Sequence, residues 1–355
     1  MQEHMQKDMQ EELRITRPDD WHLHFRDGEL LAETVPTTAH TFARAIVMPN
    51  LDPPVTRLAQ ARAYRERILE QVPKGTGFEP LMTLYLTDDT TPEDIAEAAR
   101  SGLVFGCKLY PAGATTNSAS GVCDPSRITA LYEAMERADL PLLVHGEVTE
   151  PDIDIFDRER VFIDRYLQQI RRQFPALRIV FEHVTTGEAV QFVREAGEQT
   201  AATVTPQHLM LNRNHLLVGG IRPHNYCLPV LKRAEHQRSI QQAVLEGHPR
   251  FFLGTDSAPH ARSAKEAACG CAGCYSAPAA LPLYAEFFET HDALDRLEGF
   301  ASHFGADFYG LPRNREQMRL VRKPWTIPAT LHGGGTTLVP WQAEREVQWR
   351  VTGIT

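Results

Sequence analysis

Short apolar runs alternate with longer segments of helical pattern along most of the chain. Each run is followed by polar residues, and the eight runs cover residues 21–24, 45–50, 81–89, 105–110, 141–147, 178–186, 201–209 and 250–257. Continuous apolar runs of this length are typical of strands buried on both faces. The pattern therefore predicts a parallel sheet of eight strands.

The segments between these runs have the spacing and composition of helices. Helices are predicted over residues 56–72, 127–138, 158–174, 187–196 and 231–245. Another begins at Thr91-Pro92, where Thr can cap the helix and Pro fits its first turn. No glycine-rich phosphate-binding motif follows a strand, which disfavours the alternative of a doubly wound open sheet. The alternation predicts an α/β fold of the (β/α)₈ TIM-barrel type.

The two ends of the chain differ from this pattern. After Arg313 the alternation of strands and helices stops, and alternating residues at 344–351 predict a small β appendage within residues 313–355. Residues 1–12 are polar and are expected to be a mobile extension, or at most an added strand. Residues 13–355 are predicted to be a single barrel domain that includes the appendage.

Charge and composition narrow the class of protein. The 355 residues include 37 Lys plus Arg against 46 Asp plus Glu, for a net charge of −9. Neither nucleic acid nor an anionic membrane is therefore expected as a partner. The sequence has no apolar stretch of ~18 residues and no apolar secretion signal near its start. We expect a cytoplasmic protein whose six cysteines are reduced thiols or metal ligands.

Metal-binding side chains collect at the ends of the predicted strands, where barrel enzymes carry their reacting groups. They are His22, His24, Lys108, His145, His183 and Asp256. His22 and His24 are two residues apart on a strand, so both rings point to the same side. A single histidine at a strand end is usually structural, but this combination predicts a metal site, and imidazole with carboxylate suits zinc.

Lys108 is the exception in this set because an ammonium group cannot bind a metal ion. It could form a salt bridge with a carboxylate or bind an anionic substrate. It could also react with CO₂ to form a carbamate that bridges two metal ions. The residues by themselves do not distinguish these alternatives.

The motifs around these residues resemble those of the dihydroorotase family in the amidohydrolase superfamily, in its shorter monofunctional bacterial type. The resemblance runs from about Arg14 to the end of the chain. It rests on the motifs Arg17-Pro18-Asp19-Asp20-Trp21-His22-Leu23-His24, Arg26-Asp27-Gly28, Val47-Met48-Pro49-Asn50, Lys108-Leu109-Tyr110-Pro111, Val144-His145-Gly146-Glu147, Phe181-Glu182-His183, Thr205-Pro206-Gln207-His208-Leu209, Gly254-Thr255-Asp256-Ser257-Ala258-Pro259-His260 and the run from Cys269 to Cys274.

The resemblance implies two zinc ions per subunit and a homodimer. His22, His24 and Asp256 would bind the more buried ion, His145 and His183 the second, and carbamylated Lys108 (N6-carboxylysine) would bridge them. The implied reaction is the reversible hydrolysis of (S)-dihydroorotate to N-carbamoyl-L-aspartate in de novo pyrimidine (UMP) biosynthesis. A bridging hydroxide would attack the ring, with Asp256 as general base and then acid.

The resemblance also implies a set of substrate-binding residues. Arg26, Asn50 and His260 would bind the substrate carboxylate. The backbone of Leu228 and Ala272 would contact the ring, and Thr115 and Thr116 would belong to a loop that closes over the substrate. From the residues alone, Arg26 could instead pair with Asp27 or Asp20 at the surface. Asn50 could be a turn residue, and the loop an ordinary connection between a strand and a helix.

The run from Cys269 to Cys274 is not expected to bind a metal, and the resemblance places it in a loop beside the substrate. Cys269, Cys271 and Cys274 lack an obvious fourth ligand for a closed metal site. His208, His215 and His224 are expected to be structural, and Cys107 to point away from the barrel mouth. Two other functions compete with the leading one. Another cyclic amidohydrolase, such as a hydantoinase or an allantoinase, would recognise its ring without Arg26, Asn50 and His260, and a non-catalytic barrel would lose metal ligands.

Overall fold

The computed structural model describes residues 11–355 and contains the predicted sheet of eight parallel strands. The neighbouring strands follow chain order. They are β2 (Asp20–Leu23), β3 (Arg44–Val47), β4 (Glu79–Tyr85), β5 (Val104–Leu109), β6 (Leu142–Val144), β7 (Ile179–Phe181), β8 (Thr200–Val204) and β9 (Phe251–Leu253).

Residues at the ends of the first and last of these strands close the sheet into a barrel. Leu23 and Ser257 form a parallel bridge. The amide of His24 donates to the carbonyl of Ser257 at 2.9 Å, and the amide of Asp256 donates to the carbonyl of His22 at 2.8 Å. The predicted TIM barrel is thereby confirmed.

Helices surround the barrel in the predicted order. They are α1 (Leu31–Ala39), α2 (Leu58–Leu69), α3 (Pro92–Arg100), α4 (Thr129–Ala138), α5 (Arg158–Phe162), α6 (Gln168–Gln173), α7 (Gly187–Glu195), α8 (Pro206–Met210), α9 (Asn214–Leu217), α10 (Ala234–Leu245), α11 (Arg262–Lys265), α12 (Ala280–Thr290) and α13 (Phe304–Tyr309). A π-helical turn at Ile163–Leu167 joins α5 to α6, so the predicted helix 158–174 is one continuous helix with a local irregularity.

Seven of the thirteen described helices, α2 to α7 and α10, correspond to predicted segments, whereas α1, α8, α9, α11, α12 and α13 were not predicted. Thr91 caps α3 and accepts from the amide of Asp94, as the Thr-Pro sequence predicts. The pattern did not predict α12, because residues on all its sides are buried and no polar stripe reveals a helical period. Among the described helices, none has both the length and the apolar character needed to cross a membrane.

Side chains alternate between two apolar regions across the barrel wall. Leu143, Val180 and Phe252 belong to the cluster inside the barrel. Cys107 and Val144 belong to the larger cluster between the strands and the helices. The direction expected for Cys107, away from the interior, is therefore the observed one. This alternation places every second residue of a strand toward the barrel axis.

The amino-terminal end of the barrel is blocked by aromatic packing. Tyr309 of α13 stacks on Trp21 with ring centroids 4.6 Å apart and meets the edge of Phe252. Gly305 lies so close to Trp21 that a methyl group at this position would come within 2.0 Å of the indole nitrogen. The other end, where the predicted site residues lie, remains available for ligands.

A three-stranded antiparallel sheet forms the predicted appendage. Its strands are β1 (Glu12–Thr16), β10 (Gln317–Thr326) and β13 (Glu346–Ile354), in the order β1-β10-β13, and β11 (Leu331–Gly333) pairs with β12 (Thr336–Leu338) in a separate hairpin. The appendage therefore includes an amino-terminal strand that starts at Glu12, inside the predicted mobile extension. Residues 1–10 of that extension lie outside the described part of the chain.

Candidate functional site

Barrel closure brings together residues from opposite ends of the chain. The Oδ1 atom of Asp256, after β9, lies 3.4 Å from Nε2 of His22 and 3.1 Å from Nε2 of His24. All three side chains are at least nine-tenths buried. Their facing atoms form a group that could hold a metal ion, as the H-x-H spacing predicted.

Two further histidines complete a cluster of four imidazoles. The ring of His183 lies 5.0 Å from that of His22 and 4.8 Å from that of His145, measured between centroids. Burial lowers the pKa of all four histidines, that of His24 to about 4. Neutral imidazoles are the form that binds metal ions.

Lys108 projects into the same cluster from the end of β5. Its side chain is fully buried, and its Nζ contacts Oε2 of Glu182. This contact matches the alternative in which the lysine pairs with a carboxylate. It does not test the carbamate, because a carbamylated nitrogen keeps one hydrogen that Glu182 could accept.

Asp256 is held in its ionised form. Burial alone would raise the pKa of this carboxyl group, but the neighbouring His22 and His24 rings outweigh burial and place the pKa well below its usual range. The backbone also holds Asp256 in a left-handed conformation with φ 46°, and His183 has φ 42°. Such conformations cost about 1–3 kcal/mol each and often occur at functional sites.

The donor set fits a metal pair. Within residues 11–355, His22 Nε2 and His183 Nδ1 are buried without a hydrogen-bond partner. Unsatisfied buried polar atoms are costly unless a water molecule or an ion completes them. Four neutral imidazoles and an ionised carboxylate are the ligands that zinc prefers. The arrangement can therefore hold metal ions.

Two glutamates next to predicted ligands were part of the quoted motifs, but no role was predicted for them. Glu182 immediately precedes His183, and Oε2 of Glu147 lies 2.9 Å from Nε2 of His145. Both carboxylates are buried. Their signal was present: Glu147 is two residues beyond His145, and Glu182 is two residues beyond the inward-facing Val180.

Arg26 lies at the mouth of the site and not at the surface. Its Nη2 is 2.7 Å from Nε2 of His260, and its Nε donates to the carbonyl of Pro259 at 3.2 Å. The alternative pairing with Asp27 is absent, because Asp27 binds Arg67. Burial, reinforced by the charge of Arg26, lowers the pKa of His260 to about 2, so this ring is neutral and accepts from the arginine.

Asn50 and the loop after β5 cover the other side of the site. The side chain of Asn50 is 2.8 Å from Nδ1 of His24 and donates to the carbonyl of Thr116 at 3.0 Å. Thr116 Oγ1 donates to the carbonyl of Ala272 at 3.4 Å. The loop thus lies across the site and joins residues that the sequence places far apart.

These residues surround one cavity. All the predicted site residues except Lys108 and His260 line it, including Leu228, Ala272, Thr115 and Thr116. Lys108 lies beneath the cavity, and His260 supports Arg26 from the side. Tyr110, which had no predicted role, also lines the cavity, and its buried hydroxyl has no partner.

Among the described residues, the other histidines and the cysteines do not line this cavity. Potential metal ligands within residues 11–355 form two groups, His22 with His24 and Asp256, and His22 with Glu182 and His183, and neither group includes a cysteine. Cys269 is exposed, whereas Cys274 is buried. His208 is held between the Thr205 hydroxyl at 2.7 Å and the Pro229 carbonyl at 2.8 Å, which is a structural role.

Comparison with known proteins places the chain in a family. The pattern of the amidohydrolase family matches residues 19–315. A dihydroorotase from Alcanivorax borkumensis is 70% identical over 96% of this chain and 99% of its own length. This chain belongs to the dihydroorotases of the amidohydrolase family. The predicted resemblance is confirmed.

Solved structures agree with this placement. A dihydroorotase from Saccharomyces cerevisiae, in complex with 5-fluoroorotic acid, superimposes with a TM-score of 0.89 at 33% identity, covering 97% of this chain and 99% of that one. An L-hydantoinase from Arthrobacter aurescens gives a TM-score of 0.80 at 15% identity, covering 97% of this chain and 84% of that one. The second likeness shows the shared amidohydrolase barrel only.

Proposed function

We propose that this enzyme interconverts (S)-dihydroorotate and N-carbamoyl-L-aspartate in de novo pyrimidine (UMP) biosynthesis. One observation carries the proposal: the potential metal ligands and the arginine suited to a carboxylate face the same cavity. A cyclic amide that bears a carboxylate needs both. The dihydroorotases among its relatives support the same substrate.

We propose that the site holds two zinc ions. His22, His24 and Asp256 would hold one ion, His145 and His183 the other, and Lys108, as N6-carboxylysine, would bridge them. When bound, the metal pair supplies Lewis acidity at the ring carbonyl and lowers the pKa of water toward neutrality. The buried ring nitrogens of His22 and His183 that lack a hydrogen-bond partner within residues 11–355 support this assignment.

Asp256 moves the proton in this proposal. Its carboxylate is ionised, buried and beside the metal-binding histidines. It takes the proton of the attacking water and returns it to the ring nitrogen as the amide bond breaks. In the direction of ring closure the same carboxylate accepts the proton of the ureido nitrogen.

Substrate binding falls to residues on the rim of the cavity. The Arg26 guanidinium, with Asn50 and His260, binds the substrate carboxylate, for which a planar fork is the best partner. The backbone groups of Leu228 and Ala272 bind the ring. Thr115 and Thr116, whose loop lies across the cavity, close over the bound substrate and exclude water.

The direct test is turnover of dihydroorotate, followed by its absorbance with zinc-replete protein, with hydantoin and allantoin as control substrates. We expect turnover of dihydroorotate alone. Activity on hydantoin or allantoin without activity on dihydroorotate would keep the metal site but reject the role of Arg26, Asn50 and His260. Inactivity on all three substrates would favour a non-catalytic barrel.

The proposal also includes a homodimer located in the cytoplasm. The dimer follows from the family resemblance, whereas the location follows from the composition of the sequence. Light scattering of the purified full chain tests the dimer, because a molar mass near 39.9 kDa would mean a monomer.

A further inference from the structure

A buried carboxylate beneath the site faces two of the proposed metal ligands. Glu182 follows β7, points into the barrel and is fully buried. One oxygen contacts Nζ of Lys108, and the other lies 3.1 Å from Nδ1 of His22. Within residues 11–355, neither oxygen has another hydrogen-bond or ion-pair partner. Among the described residues, Lys108 and His22 are therefore the ion-pair partners of Glu182, and His183 lies close by.

The two neighbours of Glu182 require it to accept a hydrogen bond on each oxygen. His22 Nε2 faces Asp256, with which it would share a metal ion, so the hydrogen of a neutral, metal-binding His22 belongs on Nδ1, toward Glu182. Lys108 also presents a hydrogen donor to Glu182. Two donors at one buried position require two acceptors, and only an ionised carboxylate offers an acceptor on both oxygens.

We propose that Glu182 is a positioning residue that holds Lys108 and His22 in place for the metal pair. Carbamylation of Lys108 forms one bond between Nζ and the carbon of CO₂ and releases two protons of the ammonium group to solvent. One hydrogen remains on the nitrogen, and Glu182 accepts it. The carboxylate thus orients the carbamate toward the metals and fixes the His22 tautomer that leaves Nε2 free to bind.

This inference rests on the proposed carbamate and metal pair, and it predicts an effect on both metal ions. His22 belongs to one proposed ion, whereas Lys108 is shared by both. Loss of the carboxylate should therefore weaken both ions together. Loss of a carboxylate that oriented a ligand of only one ion would weaken the binding of that ion alone.

Glu147 provides a matched control. It is also buried and also faces a proposed ligand, with Oε2 2.9 Å from His145 Nε2, but it does not contact Lys108. Its other oxygen is 3.9 Å from Lys232, outside the proposed ligand set. Glu147→Gln should weaken the second ion and leave the first one bound.

The experiment compares wild type with Glu182→Gln and Glu147→Gln in the full chain. Glutamine keeps an acceptor for His22 but turns an amide N–H toward Lys108. The readouts are metal ions per subunit along a chelator series, the absorption of the cobalt-substituted protein, and the mass increment of CO₂ in native mass spectrometry. We expect Glu182→Gln to lose affinity for both ions by roughly 10- to 100-fold and to lose the CO₂ increment.

Each outcome has one meaning. Wild-type metal affinity and a retained CO₂ increment in Glu182→Gln would overturn the positioning role. A wild-type protein that carried neither the increment nor two metal ions would instead refute the proposed carbamate site. If Glu182→Gln does not fold, Glu182→Asp retains both oxygens at a shorter reach. It should bind both ions more weakly than wild type, and unchanged affinity would likewise overturn the inference.

Discussion

Arg26→Lys tests how the site would distinguish a carboxylated ring from a neutral one. The half-buried guanidinium, held by His260 and the Pro259 carbonyl, can offer a carboxylate two parallel N–H groups. Lysine preserves the charge but offers a single point contact. The substitution therefore removes one charge-assisted hydrogen bond while the fold is kept.

The expected loss follows from the strength of that bond. A hydrogen bond to a charged group contributes about 1.5–3 kcal/mol. Because about 1.4 kcal/mol corresponds to a tenfold change in rate, kcat/KM for dihydroorotate should fall roughly 10- to 150-fold. The loss should appear mainly in KM if the contact is equally strong in the ground state and in the transition state.

The assay measures kcat/KM for dihydroorotate and for dihydrouracil, which has the same ring without the carboxylate. In Arg26→Lys the ratio of kcat/KM for dihydroorotate to kcat/KM for dihydrouracil should fall, because only dihydroorotate has the carboxylate that Arg26 binds. Arg67→Lys is the matched control, because Arg67 pairs with the neighbouring Asp27 but is 43% exposed and does not line the cavity. An unchanged ratio in Arg26→Lys, or an equal loss in Arg67→Lys, would refute the assigned role.

Three other perturbations test separate parts of the molecule. Asp256→Asn should lower kcat about 10²- to 10⁴-fold in both directions, and near-normal rates in a protein of verified metal content would exclude it as the proton carrier. Burial lowers the pKa of His208 from 6.5 to about 4, so the unfolded chain binds a proton first as the pH falls. Between pH 6.5 and pH 4, the free energy of unfolding of wild type should therefore fall by up to about 3 kcal/mol more than that of His208→Gln. Urea unfolding across this pH range measures both proteins, and an equal fall in the two would contradict the prediction. Gly305→Ala should lower the free energy of unfolding in urea by about 1–3 kcal/mol, because the added methyl group collides with Trp21. Unchanged stability would show that α13 can shift to accept the methyl group.

The sequence determined the barrel because local patterns decide which segments form strands and helices. All eight strand runs correspond to strands of the barrel, and the Thr-Pro cap begins α3 as predicted. The spacing of His22 and His24 also fixes their shared direction, because a strand repeats every two residues. These features depend on neighbours in the chain, which a sequence displays directly.

Tertiary structure decided which distant residues meet. Asp256 contacts His22 only because the last strand closes against the first, and no local pattern encodes that distance. Closure likewise placed Arg26 against His260 instead of the alternative partner Asp27, and placed β1 beside the carboxyl-terminal strands.

Glu182 shows the same division between sequence and structure most clearly. The sequence displays it as one more acidic residue next to a histidine. Only the closed barrel turns it inward, removes it from water and leaves Lys108 and His22 as its partners. Burial and pairing are properties of the folded chain, because they depend on which surfaces face each other after the strands have closed around a common axis.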